Sequence, residues 1–166
     1  GGLGEHAYTF DECGLDKLSP LHWAARGEAD LELVVAMIEA GHPVSPEDAY
    51  GNTPLVLAIT EQDPATEPNL PVIEFLLERT RDRELFPHST QFIHGDGMYD
   101  FAVARDMRRT ASCIRERFRN VNLEAMLHDL PAWHLPTRCA RILYYQGLPW
   151  PEIYRTMVAR GIEEDR

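Results

Sequence analysis

The chain has 166 residues, 44% of them hydrophobic, which is enough to bury a core and shows no bias toward collagen, coiled coil or disorder. No run approaches the roughly 18 apolar residues of a membrane span, and no basic-then-apolar leader opens the sequence. Cys13, Cys113 and Cys139 form neither a C-x-x-C pair nor a disulfide framework, so an intracellular setting, cytoplasmic or nuclear, is expected. The net charge of −11 is uneven: residues 1–89 hold 17 acidic and 5 basic residues, residues 90–166 hold 10 and 11. The front half thus repels nucleic acid and favours a protein partner with a basic or mixed surface.

Residues 1–16 form a lead-in. Ser19-Pro20-Leu21-His22-Trp23-Ala24-Ala25 then recurs 34 residues later as Thr53-Pro54-Leu55-Val56-Leu57-Ala58-Ile59. Ser19 and Thr53 are suited to cap a helix, and Pro20 and Pro54 stand at the first helical position, where the missing N–H costs nothing. Behind each lies a second block, starting at Leu31 and Leu70, with apolar residues at helical i, i+3, i+4, i+7 spacing. Gly41 supplies a left-handed stop. Each unit is therefore a helix pair with more apolar surface than it can bury alone, and stacking buries the rest.

These residues resemble the ankyrin repeat: Ser/Thr-Pro-Leu-His-x-Ala-Ala, an outer helix ending in glycine, then Asp48-x-x-Gly51-x-Thr53-Pro54-Leu55. The fold class the resemblance implies is all-α, an ankyrin-repeat solenoid of about three helix–turn–helix units with a C-terminal helical extension. The repeats would span 17–47, 48–93 and 94–120, and the extension 121–166. Val56 stands where the family has histidine. His22 has the family residue, whose implied role is a hydrogen bond to backbone of the neighbouring unit.

The third unit is degenerate. Gly97-Met98-Tyr99-Asp100-Phe101-Ala102 opens it, with Tyr-Asp replacing Thr-Pro, and residues 110–118 form its outer helix. Two connections exceed the roughly 2–8 residues usual between packed helices. Residues 60–69, rich in Pro and acid, read as an exposed loop, and residues 81–96 form a second long connection. Arg105, Arg108, Arg109, Arg115, Arg117 and Arg119 are the one basic cluster. They read as a solvated outer face, with an acidic partner or the chain's own acidic half as alternatives.

Beyond Arg119, capping and glycine signals predict helices over 123–130, from Pro136 to Gly147, and from Pro151 to Gly161. They are expected to cap the array, with Trp133, Leu148 and Trp150 buried. Leu135-x-x-x-Cys139-x-x-x-Leu143, followed by Leu148-Pro149-Trp150-Pro151-x-x-Tyr154, also resembles the SOCS box of ubiquitin-ligase substrate adaptors. The spacer between its two pieces is short for that family. Leu135, Cys139, Leu143, Trp150 and Tyr154 would then form a second docking face. As a DNA-binding helix-turn-helix the same region lacks a basic stripe, since Arg155 and Arg160 face Glu152 and a final acidic run.

The ankyrin resemblance places a partner on the concave face. There Leu15, Asp16, Leu18, Arg26, Ala49, Tyr50, Asn52, Thr60, Glu61, Gly95, Asp96 and Met98 fall at exposed positions. Tyr50 and Leu18 are the apolar anchors, and Trp23 is expected inside the array. An acidic face with Asp16, Tyr50 and Glu61 suits a basic peptide such as a histone tail. The seven histidines make no ligand pair, and no phosphate loop, dinucleotide fingerprint or nucleophile elbow occurs. His94, Asp96 and Asp100 read as turn residues rather than an acid–base set. The expectation is a non-enzymatic scaffold or adaptor without cofactor or metal, monomeric in isolation.

Overall fold

The computed structural model describes residues 16–92, 97–122 and 135–161, and every regular element among them is helical. The helices are α1 (Pro20–Ala25), α2 (Leu31–Glu39), α3 (Pro54–Thr60), α4 (Leu70–Arg79), α5 (Met98–Ala104), α6 (Arg108–Arg119), α7 (Leu135–Tyr145) and α8 (Trp150–Ala159). A 3-10 turn covers Asp82–Glu84. The predicted helix over 123–130, Trp133, and the turn residues Leu15, His94, Gly95 and Asp96 lie outside the described residues.

The chain divides into two compact units, residues 1–114 and 115–166, with the division inside α6. In unit one, α1 packs on α2 and α3, α2 on α4, and α3 on α4 and α5. Short helices alternate with longer ones because of their end signals. Ser19 and Thr53 each accept a backbone N–H three residues on, and Pro20 and Pro54 start their helices. Asp30 caps α2 through Leu33 N. At its other end, Gly41 (φ 98°) lets His42 N reach Met37 O and Gly41 N reach Ile38 O. Gly147 (φ 94°) closes α7 in the same way.

The unbroken apolar run of α3 matches its position. Leu55, Val56, Leu57, Ala58 and Ile59 are all buried, because neighbouring helices flank α3 on several sides. In α1 and α5 one side stays open: Leu21-His22 and Phe101-Ala102 are buried, whereas Trp23 and Val103 are exposed. The helix of the third pair starts at Met98, which becomes a core residue instead of a turn residue.

The connection at 60–69 is exposed along most of its length, as expected, at Glu61, Asp63, Pro64, Ala65, Thr66 and Pro68, but three of its polar side chains turn inward. Gln62, Glu67 and Asn69 are buried. Asn69 Nδ2 donates to Gly27 O (2.7 Å) and Ala58 O (3.0 Å), its Oδ1 accepts from Ala29 N (3.0 Å), and its N–H donates to Gln62 Oε1 (3.1 Å). Gln62 Nε2 donates onward to Thr110 Oγ1 (2.8 Å). Glu67 accepts Thr110 N (2.7 Å), Arg109 N (3.3 Å) and Arg109 Nε (3.3 Å). It thereby caps the start of α6, whose first amides have no partner within the helix. The loop is a polar staple between successive helix pairs, and Arg109 of the basic cluster bonds into it.

In unit two α7 packs on α8, with Cys139, Ile142, Leu143, Tyr145, Ile153 and Met157 buried. Phe118 lies 5.0 Å from Tyr145, ring centre to ring centre.

Candidate functional site

The site in unit one grows from two adjoining turns. Asp48 Oδ1 accepts the amides of Tyr50 and Asn52, both at 2.8 Å, and Asp48 N donates to Asn52 O at 2.9 Å. This pins a turn that Gly51 completes at φ 79°. Ala49 N donates to Asp16 O at 2.8 Å, so Asp16 and Tyr50 sit on neighbouring turn tips.

His22 locks these turns to α1. Its Nδ1 accepts Ser19 N (3.0 Å), which fixes the proton on Nε2, and Nε2 donates to Asn52 O (2.7 Å). Burial, the largest influence, pushes the pKa of His22 below the usual 6.5, outweighing the bond to Asn52. This neutral imidazole thus ties α1 to backbone 30 residues further along the chain.

A strap from the second connection lies over the same turn. Thr90 N donates to Tyr50 O (3.0 Å), and Ser89 Oγ donates to Asn52 Oδ1. Gln91 Nε2 donates to Asn52 Oδ1 (3.0 Å) and Thr60 Oγ1 (3.3 Å). Leu85, Phe86 and Phe92 of this strap are buried.

What this frame presents to solvent differs in part from the sequence reading. Tyr50 is 55% exposed and Asp16 is open, as expected, and Leu18 is half-buried. Asn52 and Met98 are corrections: at 5% and 1% exposure they are structural, Asn52 because six hydrogen bonds consume it, Met98 because α5 turns it inward. Trp23 is the opposite correction. It is 62% exposed, because a six-residue helix between two neighbours buries only Leu21, His22 and Ala25.

Arg26 and Glu61 come together as a forked pair, Nε–Oε2 at 3.0 Å and Nη2–Oε1 at 2.9 Å, and the Arg26 guanidinium lies 5.0 Å from the Trp23 ring centre. Glu61 is thus neutralised within the chain. Trp23, Arg26 and Glu61 are joined, and Gln91 links Thr60, next to Glu61 in the chain, to Asn52 of the turn that carries Tyr50. The sequence reading placed Trp23 inside the array, and nothing local to α1 announces its exposure.

In unit two the expected docking face splits. Cys139 and Leu143 are buried and cannot be a free surface, and the side chain of Leu135 lies outside the described residues. Trp150, expected in a buried cap, is instead exposed together with Tyr154, and Leu148 is half-buried.

Burial and the neighbouring Glu74 push Cys113 up to about 11, and burial raises Cys139. No group of three potential metal ligands occurs among the described residues. None of the described helices is long and apolar enough to cross a membrane. Comparison with family models, curated proteins and solved structures returned no match to this chain.

Proposed function

We propose that the chain is a non-enzymatic protein-interaction module, a scaffold or adaptor subunit of an intracellular complex, built on ankyrin-type repeats. Three features support the repeat reading. Capped short helices alternate with longer ones, the buried-buried-exposed pattern of α1 returns in α5, and His22 bonds to Asn52 O.

The observation that carries the docking reading is the exposure of Trp23 and Tyr50, in a unit whose Phe86, Phe92 and Phe101 are all buried. Large aromatics on a rigid frame are the groups that dominate protein interfaces. The partner sits across the line from Tyr50 to Trp23, with Asp16 and the Arg26–Glu61 pair as its polar rim. The acidic character of residues 1–89 favours a basic or mixed partner surface, although Glu61 no longer contributes to it. The ubiquitin-ligase adaptor reading has no comparable support, because two of its key side chains are buried.

The test is affinity capture with the wild-type chain and a Trp23→Ala, Tyr50→Ala variant of equal thermal midpoint. Proteins held by the wild type and lost by the variant support the reading. Equal retention by both contradicts it.

A further inference from the structure

The first two helix pairs repeat the same places but meet water differently. Trp23 in α1 and Leu57 in α3 are 34 residues apart, the spacing that also separates the caps Ser19 and Thr53. The left-handed turn residues Lys17 (φ 58°) and Gly51 (φ 79°) keep that spacing too. Leu33 is the third residue of α2, and Val72 is the third of α4. In the second pair both places are closed, with Leu57 4% and Val72 1% exposed, whereas Trp23 is open and Leu33 is 46% exposed. The neighbours differ. α1 packs on α3 and α2 on α4, but among the described residues no helix precedes α1 and α2 to pack on them.

We infer that this open side of the first pair is a stacking surface for a helix pair of another protein, apolar at its centre and basic along its edge. The inference rests on the repeat reading and goes beyond it, since Leu33 lies off the line from Tyr50 to Trp23. What occupies the equivalent side of the second pair argues for the occupant: one helix lies against α3 and one against α4. Trp23 and Leu33 stand on different helices, so a single helix closes over one of them and a pair over both.

Charge sets the edge. At 3.6 residues per turn, Leu33 and Ala36 share a flank of α2 between the buried Val34 and Met37 and the exposed Glu32 and Glu39. Glu28 and Asp30 are exposed in the preceding turn, and residues 27–47 contain no lysine or arginine. Arg26 is forked to Glu61. A second copy would bring carboxylates against carboxylates, whereas a basic edge meets them with opposite charge.

The probe is the pair that lies against α3 and α4, synthesised as residues 17–47 with Glu28→Lys, Asp30→Lys, Glu32→Lys and Glu39→Lys. Calorimetric titration into the full chain should give saturable binding of this peptide and several-fold weaker binding of the unaltered one. Leu33→Glu in the full chain should weaken the lysine peptide at least tenfold. A merely electrostatic association would be strengthened by the added carboxylate, so undiminished affinity in Leu33→Glu overturns the inference. Tyr50→Ala should leave this binding unchanged, which separates its outcome from that of the docking reading. Because a peptide must order as it docks, a second form carries residues 17–50 with the same four substitutions inserted ahead of Lys17, in the spacing of the repeats. Its thermal midpoint should exceed that of the full chain, and Leu33→Glu at the original place should abolish the gain. Either effect, if Leu33→Glu removes it, supports the surface. Absence of both saturable heat at millimolar peptide and any gain in midpoint overturns it. Sedimentation showing the unaltered chain as a dimer that Leu33→Glu dissociates would assign the surface to a second copy and overturn it too.

Discussion

Replacing Glu67 by Gln tests whether the 60–69 connection is structural. Glu67 adopts φ 48°, a left-handed conformation that costs a residue with a side chain about 1 kcal/mol, and its carboxylate accepts the amides of Thr110 and Arg109. Hydrogen bonds to a charged acceptor contribute roughly 1.5–3 kcal/mol net, and loss of a helix cap costs about 1 kcal/mol. The Arg109 side chain is largely exposed, so its ion pair adds well under about 1 kcal/mol. Glu67→Gln should therefore cost about 2 kcal/mol, or a fall of roughly 4–8 °C in the thermal midpoint for a chain of this size.

The pH dependence follows from linkage. Burial alone would raise the carboxyl, but the bonds from Thr110 and Arg109 outweigh it and hold the pKa below the ordinary 4.5. The contribution is fully present above 4.5 and is lost as pH falls through the lower, folded value. Urea denaturation of both proteins at pH 7, and again under acid conditions well below 4.5, should show the gap at the first and its disappearance at the second. A gap below about 0.5 kcal/mol at pH 7, or one that persists unchanged in acid, would refute the staple.

His22→Gln should remove a specific pH slope. The folded pKa lies below 6.5, so wild-type stability is full above 6.5 and falls as pH drops from there through the folded value; denaturation from pH 8 to 5 should find that component missing in the variant. Gly51→Ala places a Cβ against His88 O at φ 79° and should cost roughly 2–4 kcal/mol, measured by urea midpoint. Cys113, with its thiol at about 11, should alkylate at least about tenfold more slowly than a free cysteine at pH 7.5, read by mass spectrometry. Trp23→Ala should leave the thermal midpoint within about 0.5 kcal/mol of wild type, since its side chain faces water.

Local signals were readable wherever the cause lay within a few residues. Ser19-Pro20 and Thr53-Pro54 announced helix starts, Gly41 and Gly147 announced stops, and the i, i+3, i+4 spacing in the blocks behind gave α2 and α4. Where the cause lay far along the chain, composition misled. Residues 60–69 have the prolines and acids of a surface loop, yet Glu67 and Gln62 find partners more than 40 residues away, at Arg109 and Thr110. Asn52 has a turn residue's chemistry, and nothing local reveals that Ser89 and Gln91 return to bond it. Trp23 and Met98 exchanged roles for a related reason. Bulk alone puts tryptophan inside, but the neighbours of a short helix decide which side chains water reaches. In α7 the same limit applied to Cys139 and Leu143, whose spacing fits an exposed motif and a buried stripe equally well.

Site-specific photocrosslinking tests the docking surface most directly. A benzophenone side chain placed at position 50, in cell extract, should join the chain to a discrete partner, and excess unlabelled wild-type chain should compete it away. The same group at Glu78, an exposed residue of α4, should give no such adduct. Adducts that are equal at both positions, or absent at position 50 while the partner is still captured, would contradict a binding face centred on Tyr50 and Trp23.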